Sequence, residues 1–473
     1  MDAWPTLVDA ARFLTPDTPT DDDWTAMTVT AESRAATDPH VRREQRRVLA
    51  GTMIGTTIEW YDFFIYANAA ALVFAPLFFA PAGSEGPVPQ IVAFMSIGVS
   101  FLFRPLGAII AGHMGDRIGR KAMLVLTLLV MGLSTTLIGV LPTYAAIGIA
   151  APLMLVLLRI LQGLSTGGEW GGAALMAVEH APAKRRGFFG AFPQLGAAAG
   201  LLLATGVTAT VTAITGPEAF LAWGWRLPFL FSAVLIVVGI IIRKTISESP
   251  AFADIEASRA KSRMPMVEVF RSNWRQVLQA TWAYAGINAA AYMVMGGYFL
   301  NYGTTQLGMN ATQILVVISV VNIAWMAFIL WSGTLSDRFG RVRVFQVGMI
   351  ALIVWLIPLF LLVDTGNIWM FALGLLGLAV GLGIPYGLQS AMFVEMFPAN
   401  VRYSGASLGY AIGSIIGGGF APTIAVWLQT STGSTIPIAV YLIIWAVISL
   451  LVVSTVKDRT GKPLLTSNST FDR

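Results

Sequence analysis

The sequence predicts an all-α membrane protein in which twelve transmembrane helices form two six-helix bundles. The chain of 473 residues is 56% hydrophobic and only 12% charged, about half the charged fraction of a soluble domain. Apolar runs of about 20 residues, long enough to cross about 30 Å of hydrocarbon, recur along it. Their centres lie near residues 63, 101, 131, 160, 200, 233, 288, 322, 352, 380, 415 and 445.

A duplicated polar turn indicates the two halves. One copy runs from Gly112 to Lys121, and the other runs from Gly333 to Arg341, each between two apolar runs. Five residues recur 221 positions later: Gly112, Asp116, Arg117, Gly119 and Arg120 match Gly333, Asp337, Arg338, Gly340 and Arg341. Because 221 residues is about half the chain, the pattern predicts an internal repeat around a central site, an architecture found in transporters.

A second repeat supports the first. Glu179 is followed seven residues later by Arg186, and Glu395 is followed seven residues later by Arg402. Both copies come directly after apolar runs, on the same predicted side of the membrane as the polar turns. We expect these residues to form a salt-bridge latch between the halves, and the two repeats together to form a cytoplasmic gate.

Lysine and arginine predict the orientation. They are concentrated in the even-numbered loops and in both tails, and the odd-numbered loops contain none. The positive-inside rule therefore places both termini and both polar turns in the cytoplasm. The same bias accounts for the sequence pI of about 9.5, so no nucleic-acid partner is expected.

The predicted organisation has five parts. They are a disordered cytoplasmic tail over residues 1–47, a bundle over 48–243, a linker over 244–272, a second bundle over 273–456 and a tail over 457–473. The first 40 or so residues are polar, which is typical of disorder, and Met27 is an alternative start of translation. The chain has no cysteine, which excludes disulfides and thiolate metal sites. No metal or cofactor is expected.

Helix one carries two acidic residues at a depth where charge is expensive. Glu59 lies 12 residues past Arg47, roughly 18 Å along a helix, and Asp62 shares its face three residues on. Carboxylates at mid-membrane line polar cavities. Two interpretations stay open, a structural ion pair with a nearby arginine and a role in proton or solute coupling.

Arginines of helices two and four are the candidate partners. Arg104 is predicted at the depth of the helix-one carboxylates, where it can pair with one of them or bind a solute carboxylate. Helix four carries a polar stripe on one face, formed by Arg159, Gln162, Thr166 and Glu169. Gly163, Gly167 and Gly171 form an adjacent stripe that predicts close helix packing.

The second half is less charged in its membrane core. Tyr284, Asn288 and Tyr292 form a polar stripe on helix seven, and Gln389 lies on helix ten. Such neutral groups either orient a solute or cross-link helices. The candidate proton-coupling residues are Glu59, Asp62, Arg104, Arg159 and Glu169. The candidate solute-binding residues are Tyr66, Arg104, Arg159, Gln162, Tyr284, Asn288 and Gln389.

These motifs resemble those of a known family. The duplicated turn, Arg159-x-x-Gln162-Gly163 and the paired glutamate–arginine motifs are similar to signatures of the major facilitator superfamily. Three segments narrow the resemblance to its metabolite:H⁺ symporters, in the branch that contains the shikimate transporter. They run from Glu59 to Phe63, from Arg104 to Gly107 and from Gly167 to Gly172. The resemblance covers residues from about 49 to 456.

The resemblance implies two bundles that rock about a central site and are driven by a proton gradient. Asp116 and Asp337 would cap neighbouring helix ends and pair with cytoplasmic arginines. The second turn departs from the pattern, with Ser336 for Gly115 and Val342 for Lys121, so we expect its latch to be weaker. The glycine–proline signature of drug antiporters is absent between Phe189 and Val211, which favours import.

The expected function is proton-coupled import of a small polar metabolite, an organic acid such as shikimate or a di- or tricarboxylate. The alternative is an osmolyte such as proline or glycine betaine, whose quaternary ammonium could be framed by Trp60, Tyr61 and Tyr66. A non-transporting sensor ranks lower, and no catalytic constellation indicates an enzyme. The expected partners are the solute, H⁺ and the lipid bilayer. We expect a monomer in the inner (plasma) membrane of a bacterium.

Overall fold

The computed structural model describes residues 39–80, 86–118, 120–167, 169–245, 269, 271–295, 297–399 and 401–464, which are helical nearly throughout. The chain divides into residues 1–47 and a compact unit of residues 48–473, and every contact discussed below lies within the second. The predicted disorder of the first 38 residues, the start at Met27 and most of the linker over 244–272 lie outside the described residues.

The helices of the first half begin with α1, which is continued by a π-helix over Ala70–Phe79. A π-helix over Phe220–Gly224 likewise extends α7. The bounds are α1 Pro39–Ala69, α2 Val88–Ile118, α3 Arg120–Val140, α4 Tyr144–Ile147, α5 Ala150–Thr166, α6 Glu169–Glu179, α7 Arg186–Ala219 and α8 Arg226–Thr245.

The second half repeats this pattern of long helices joined by short turns. A π-helix over Ser414–Gly419 separates α14 from α15. The bounds are α9 Trp274–Met295, α10 Tyr298–Thr305, α11 Ala311–Phe339, α12 Arg341–Val363, α13 Ile368–Met396, α14 Arg402–Gly413, α15 Ala421–Thr432 and α16 Ile436–Val453.

All twelve predicted centres fall inside these helical stretches. By length and composition, nine stretches of the described chain could cross a membrane, and residues 125–140 and 226–241 form shorter apolar helices. Helix α9 is helical as predicted, but polar residues such as Gln276, Gln279 and Asn288 interrupt its apolar sequence. The helical architecture is therefore confirmed, whereas twelve crossings and cytoplasmic termini stay predictions.

Local sequence explains where several helices begin. The side chain of Asn310 caps α11 by accepting from the backbone N–H groups of Thr312 and Gln313, at 2.9 and 3.2 Å. Asn367 caps α13 in the same way. Asparagine satisfies N–H groups that the first turn of a helix leaves without partners. Gly340 has φ +97°, which favours glycine, at the sharp turn between α11 and α12.

Glycines hold α2 and α5 unusually close. A Cβ atom on Gly163 would overlap the backbone of Ser100, and one on Gly167 would overlap the backbone of Arg104. The packing role predicted for these two glycines is therefore confirmed. Their close approach brings the buried arginines of the two helices, Arg104 and Arg159, into the same region.

Helix α7 joins the two halves through contacts with α11 and α13. Near the middle of α11, Asn322 donates a hydrogen bond of 2.6 Å to the Ala198 carbonyl. Closer to the polar turn, Gly187 and Gly333 lie backbone against backbone, so a Cβ on either would overlap the other's carbonyl oxygen. A second junction is made where α2 packs against the π-helix over Ser414–Gly419 and α15.

Candidate solute site and latch

A small cavity lies where helices of the first half meet α14 of the second half. The volume open to the centre of a water molecule is about 10 Å³, which is room for about one water. Ligand pockets occupy about 300 Å³ or more, so the halves must move apart before a metabolite can enter. The lining includes Glu59, Arg104, Thr166, Trp170, Ser407 and Tyr410.

Arg104 is the cation of this cavity. Its side chain is only 6% exposed, and its guanidinium carbon lies 4.2 Å from the ring centroid of Phe101 and 5.7 Å from that of Trp60. Its Nε atom is buried and has no hydrogen-bond partner among the described residues. A buried guanidinium with an unused donor beside a cavity is suited to binding an anion.

A stack of aromatic rings closes one side of the cavity and crosses between the halves. Trp170 of α6 lies parallel to Tyr410 of α14, with ring centroids 4.0 Å apart and planes at 6°. Tyr284 of α9 stacks on Tyr410 at 4.4 Å. Tyr284, a predicted solute residue, therefore lies next to the cavity behind Tyr410, which itself lines it.

Gln194 of α7 fixes this stack and was missed by the sequence analysis. The indole N–H of Trp170 donates to Gln194 Oε1 at 3.0 Å. Gln194 Nε2 in turn donates to the Tyr386 carbonyl at 3.1 Å and to Gln389 Oε1 at 3.3 Å, both on α13. The Nε2 atom of Gln389 is buried without a partner among the described residues. Gln389 is thus held by the first half and keeps a donor for another group.

Asp62 lies outside this cavity, in a separate polar cluster with residues of α3 and α8. Ser232 of α8 donates to Asp62 Oδ1 at 2.5 Å, and the hydroxyl of Thr135 on α3 is a second hydrogen-bonding neighbour. Glu59 and Asp62 therefore do not share one cavity, although they share a broad face of the helix. Hydroxyl partners are neutral, so they can serve a carboxyl group in either protonation state.

Arg159 is fully buried among neutral partners. It donates to Gln162 Oε1 at 2.8 Å and to Ser100 Oγ at 2.9 Å. Its guanidinium carbon lies 3.9 Å from the ring centroid of Tyr66. It also lies 5.2 Å from the centroid of Phe63, and Arg104 lies 5.6 Å from the same centroid. One ring of α1 therefore contacts both buried arginines.

Several predicted site residues lie away from the cavity. Helices α5 and α6 carry the predicted polar stripe, of which Thr166 lines the cavity. Glu169 accepts a hydrogen bond of 2.7 Å from Thr127 of α3. Tyr66 is hydrogen-bonded to Ser96 at 2.6 Å. Asn288 donates to the Ser414 carbonyl at 3.5 Å and so cross-links helices.

The repeated glutamate–arginine motifs meet across the halves. Arg402 Nη1 lies 3.0 Å from Glu179 Oε1. Arg341 of the second polar turn lies 3.2 Å from Glu395 and 2.8 Å from Asp337. Arg402 of the second motif therefore pairs with Glu179 of the first, and Glu395 pairs with Arg341 of the polar turn. We call Glu179, Arg341, Asp337, Glu395 and Arg402 the latch.

Asp337 also caps α7. Its carboxylate accepts from the backbone N–H groups of Gly187 and Phe188, at 2.8 and 2.9 Å. A carboxylate at a helix N-terminus satisfies unpaired donors and interacts favourably with the helix dipole. Asp337 thus takes the capping position expected of it. The first polar turn cannot be compared in the same way. Gly119 and the surroundings of Gly112 lie outside the described part of the chain, as do the side chains of Asp116, Arg117 and Arg120. The expectation that the second turn forms the weaker latch therefore stays a prediction.

The segment after α16 also contacts the latch region. The backbone N–H of Arg341 donates to Thr460 Oγ1 at 3.0 Å, and that of Val342 donates to Asp458 Oδ2 at 3.1 Å. From the other half, Arg186 donates to the Lys462 carbonyl at 2.6 Å. The remaining predicted gate residue of this turn, Arg338, lines an open cavity with Lys184 and Gly340.

An all-helical unit with a repeated sequence, a central cavity between halves and a latch on one side defines the class of alternating-access transporters. The chain belongs to the Major Facilitator Superfamily, whose family model matches residues 52–422. It is a transporter and a multi-pass protein of the inner (plasma) membrane. The family resemblance of the motifs is confirmed.

Characterised relatives are similar over nearly their whole length. The inner membrane metabolite transport protein YhjE of Escherichia coli is 40% identical, and the match covers 82% of this chain and 89% of the relative. The shikimate transporter of Escherichia coli is 38% identical over 87% of this chain and 94% of its own length. The proline/betaine transporter of Salmonella typhimurium is 34% identical, and the match covers 89% of this chain and 85% of that transporter.

The fold is shared with a solved symporter. The structure of the proton:xylose symporter XylE bound to 6-bromo-6-deoxy-D-glucose superimposes with a TM-score of 0.70. The match covers 89% of this chain and 98% of XylE at 17% sequence identity. At that identity the likeness supports the fold alone.

Proposed function

We propose that this protein imports a small organic acid together with H⁺. The observation that carries the proposal is Arg104, a buried guanidinium that lines the cavity between the halves and whose Nε donor has no partner among the described residues. An organic carboxylate offers the acceptor geometry and the charge that a guanidinium binds most strongly. Similarity to the shikimate transporter supports the same solute class.

Other unused donors near the cavity favour a solute rich in oxygen atoms. Within the described part of the chain, the indole Nε1 of Trp60 and the amide Nε2 of Gln389 are buried without partners, like Arg104 Nε. All three groups are donors only, so they are satisfied by carboxylate or hydroxyl oxygens. The Tyr292 hydroxyl has no partner among the described residues either, and it can bond a hydroxylated acid in either direction.

The aromatic residues of α1 do not form a cage for a quaternary ammonium. The protein's own guanidinium of Arg159 lies over Tyr66, and that of Arg104 lies near Trp60. The Tyr61 hydroxyl points away and donates to the Pro228 carbonyl at 2.7 Å. Cation binding needs open ring faces. These contacts favour an organic acid over glycine betaine.

Proton coupling fits Asp62 best. Asp62 is 2% exposed and is bonded to hydroxyl groups, away from the cavity, so it can change protonation state without contacting the solute. Glu59 lines the cavity with Arg104 and is placed to sense solute binding. Proton uptake at one carboxyl and anion binding at one arginine then neutralise two buried charges that are expensive in a membrane.

The test is uptake into proteoliposomes with an inward proton gradient. Labelled shikimate, 2-oxoglutarate, proline and glycine betaine are compared, with a protonophore as control. We expect accumulation of an acid that collapses with protonophore. Accumulation of proline or betaine alone would overturn the organic-acid proposal, and uptake indifferent to the gradient would overturn proton coupling.

A matched pair of variants tests Arg104. Arg104→Lys keeps the charge but loses the planar donors, so the KM for the acid should rise at least tenfold, as for loss of about 1.4 kcal/mol. Arg226→Lys is the control, because Arg226 donates to the Gly139 and Leu141 carbonyls and does not line the cavity. An equal effect of both variants would show that the change at Arg104 is structural.

A further inference from the structure

Hydrogen bonds lead from the buried guanidinium of Arg159 to the Thr135 hydroxyl, which lies beside the buried carboxyl group of Asp62. Arg159 Nη1 donates to Gln162 Oε1 at 2.8 Å, and Gln162 Nε2 donates to Thr135 Oγ1 at 2.7 Å. The Thr135 hydroxyl neighbours Asp62, which Ser232 bonds from α8. We propose that Thr135 is a positioning residue that passes the protonation state of Asp62 to Gln162 and Arg159. This inference rests on the proposed role of Asp62 in proton coupling.

The Thr135 hydroxyl has a single hydrogen but two neighbouring acceptors for it, the Met131 carbonyl and the Asp62 carboxylate. It donates to the Met131 carbonyl at 3.0 Å and accepts from Gln162. A hydroxyl has one hydrogen and two lone pairs, so Thr135 cannot donate to Met131 and Asp62 at once. Ionised Asp62 attracts the hydrogen, because a bond to a charged acceptor is the stronger one. Protonated Asp62 donates to Thr135, whose hydrogen then goes to Met131.

The two arrangements differ for Gln162. With Asp62 ionised, every donor in the line points from Arg159 toward Asp62, and each bond polarises the next. With Asp62 protonated, Thr135 accepts from both sides and its bond to Gln162 weakens. Arg159 is then held less firmly over Tyr66 and Phe63. Because Arg104 contacts the same Phe63 ring, the change reaches the solute-binding arginine.

The charged and titratable groups around Asp62 are few. Tyr61 is adjacent on α1, and Glu59 lies one turn earlier, facing the cavity. Helix α5 contributes Arg159 through Gln162, and α8 contributes Arg226, which is bonded to carbonyls of α3 and the turn after it. Among the described residues of α3, the group that faces Asp62 is the uncharged Thr135. Thr135 is therefore the connection between the carboxyl and the guanidinium.

The competing interpretation is that Thr135 merely satisfies its own helix, as threonines in membrane helices do. Its neighbour Thr136 does only that, since its hydroxyl donates to the Gly132 carbonyl at 2.8 Å. Thr136→Val is therefore a matched control for Thr135→Val. Both substitutions remove one hydroxyl from the same helix, and Thr135→Ser restores the hydroxyl at the position tested.

The experiment uses the purified full chain without solute. Infrared difference spectra between acidic and alkaline pH record the carbonyl band of protonated carboxyl groups, and Asp62→Asn identifies the part that belongs to Asp62. Removing a donor to the ionised carboxylate should move the midpoint of that band to higher pH in Thr135→Val, by about one unit. Thr135→Ser and Thr136→Val should keep the original midpoint. An unchanged midpoint in Thr135→Val would overturn the proposal.

Substitution of Gln162 distinguishes a relay that extends to Arg159 from a contact between Thr135 and Asp62 alone. The side-chain hydrogen bonds of Gln162 join it to Arg159 and Thr135, so Gln162→Met should move the midpoint in the same direction by a smaller amount. The shift should vanish when Thr135 is already valine, because the line is then broken. Equal shifts in both backgrounds would contradict the relay. This experiment does not measure solute uptake. Its result can therefore be interpreted even if none of the four solutes is transported, and an unchanged midpoint would not contradict the proposed symport.

Discussion

The guanidinium of Arg402 lies 3.0 Å from the carboxylate of Glu179, a residue 223 positions earlier in the chain. Each residue belongs to one copy of the repeated glutamate–arginine motif, and the ion pair joins the copies. Both side chains are largely buried, with 5% and 17% exposed. A contact of this kind exists only while the ends of the two halves are together, so the pair holds this side of the protein closed.

Breaking the pair should open the predicted cytoplasmic side. Because the chain has no cysteine, Ser407→Cys provides a unique label in the cavity. We expect Glu179→Gln to raise its labelling by an impermeant maleimide about tenfold in inside-out vesicles, which is a shift of about 1.4 kcal/mol. Arg275→Gln, an exposed change near Trp274, is the control. A labelling rate indifferent to Glu179→Gln would show that the pair does not close the cavity.

Asp337 should contribute more than a single ion pair. Asp337→Ala removes the cap of α7 and a partner of Arg341 together. Loss of a cap costs about 1 kcal/mol, and loss of one of the two carboxylate partners of the buried Arg341 adds to it. We expect a lower unfolding temperature in detergent and faster labelling of Ser407→Cys. Asp337→Asn, which keeps one acceptor oxygen, should fall between wild type and alanine.

The segment after α16 should support the latch. Asp458→Ala combined with Thr460→Ala removes the two side chains that accept from the first N–H groups of α12. We expect labelling of Ser407→Cys to increase several-fold, less than with Glu179→Gln, since caps contribute about 1 kcal/mol. Lys457→Ala is the control at the same end. Equal labelling of the double variant and the control would rule out a role for this segment.

The two carboxylates of α1 should have separable effects. Asp62→Asn should abolish accumulation driven by a pH gradient yet keep solute exchange at equal pH, because Asp62 lies outside the cavity. Glu59→Gln should uncouple transport as well and also change the KM, because Glu59 lines the cavity. Counterflow and gradient-driven uptake distinguish these outcomes. Full gradient-driven accumulation in both variants would defeat the coupling role.

Gln194 should position the aromatic stack. Gln194→Leu takes the acceptor from the buried Trp170 indole and the donor from the Tyr386 carbonyl and Gln389 Oε1 of α13. We expect the apparent affinity for the acid to fall about tenfold, as for one or two lost buried hydrogen bonds. Gln279→Leu, an exposed change near Thr455, is the control. Unchanged affinity in Gln194→Leu would remove Gln194 from the site.

Strong sequence patterns predicted the helices and the region of the site. Apolar runs fix where helices form, and a charge inside such a run is conspicuous, which is why Arg104 and Arg159 were found. Single neutral residues leave no pattern. Gln194 stands in a run of small and apolar residues, and Thr135 and Ser232 look like hydroxyls that bond their own helices. Only the structure shows which helix each one faces.

The expected salt bridge between the halves is present as the pair of Arg402 and Glu179. The partner that Glu395 finds in Arg341 of the polar turn was beyond the sequence, because every arginine on this side has the same charge complementarity to it.

The Phe63 ring lies within 6 Å of both buried guanidiniums, Arg104 toward the solute cavity and Arg159 toward the Asp62 cluster. Under the proposed function, the residues that bind the solute and those that bind the proton are therefore separate groups, and the Phe63 ring lies between them. Substitutions on the Arg104 side can change which solute is bound while the residues around Asp62 stay the same. Such a division gives one scaffold the means to diversify into carriers of many metabolites.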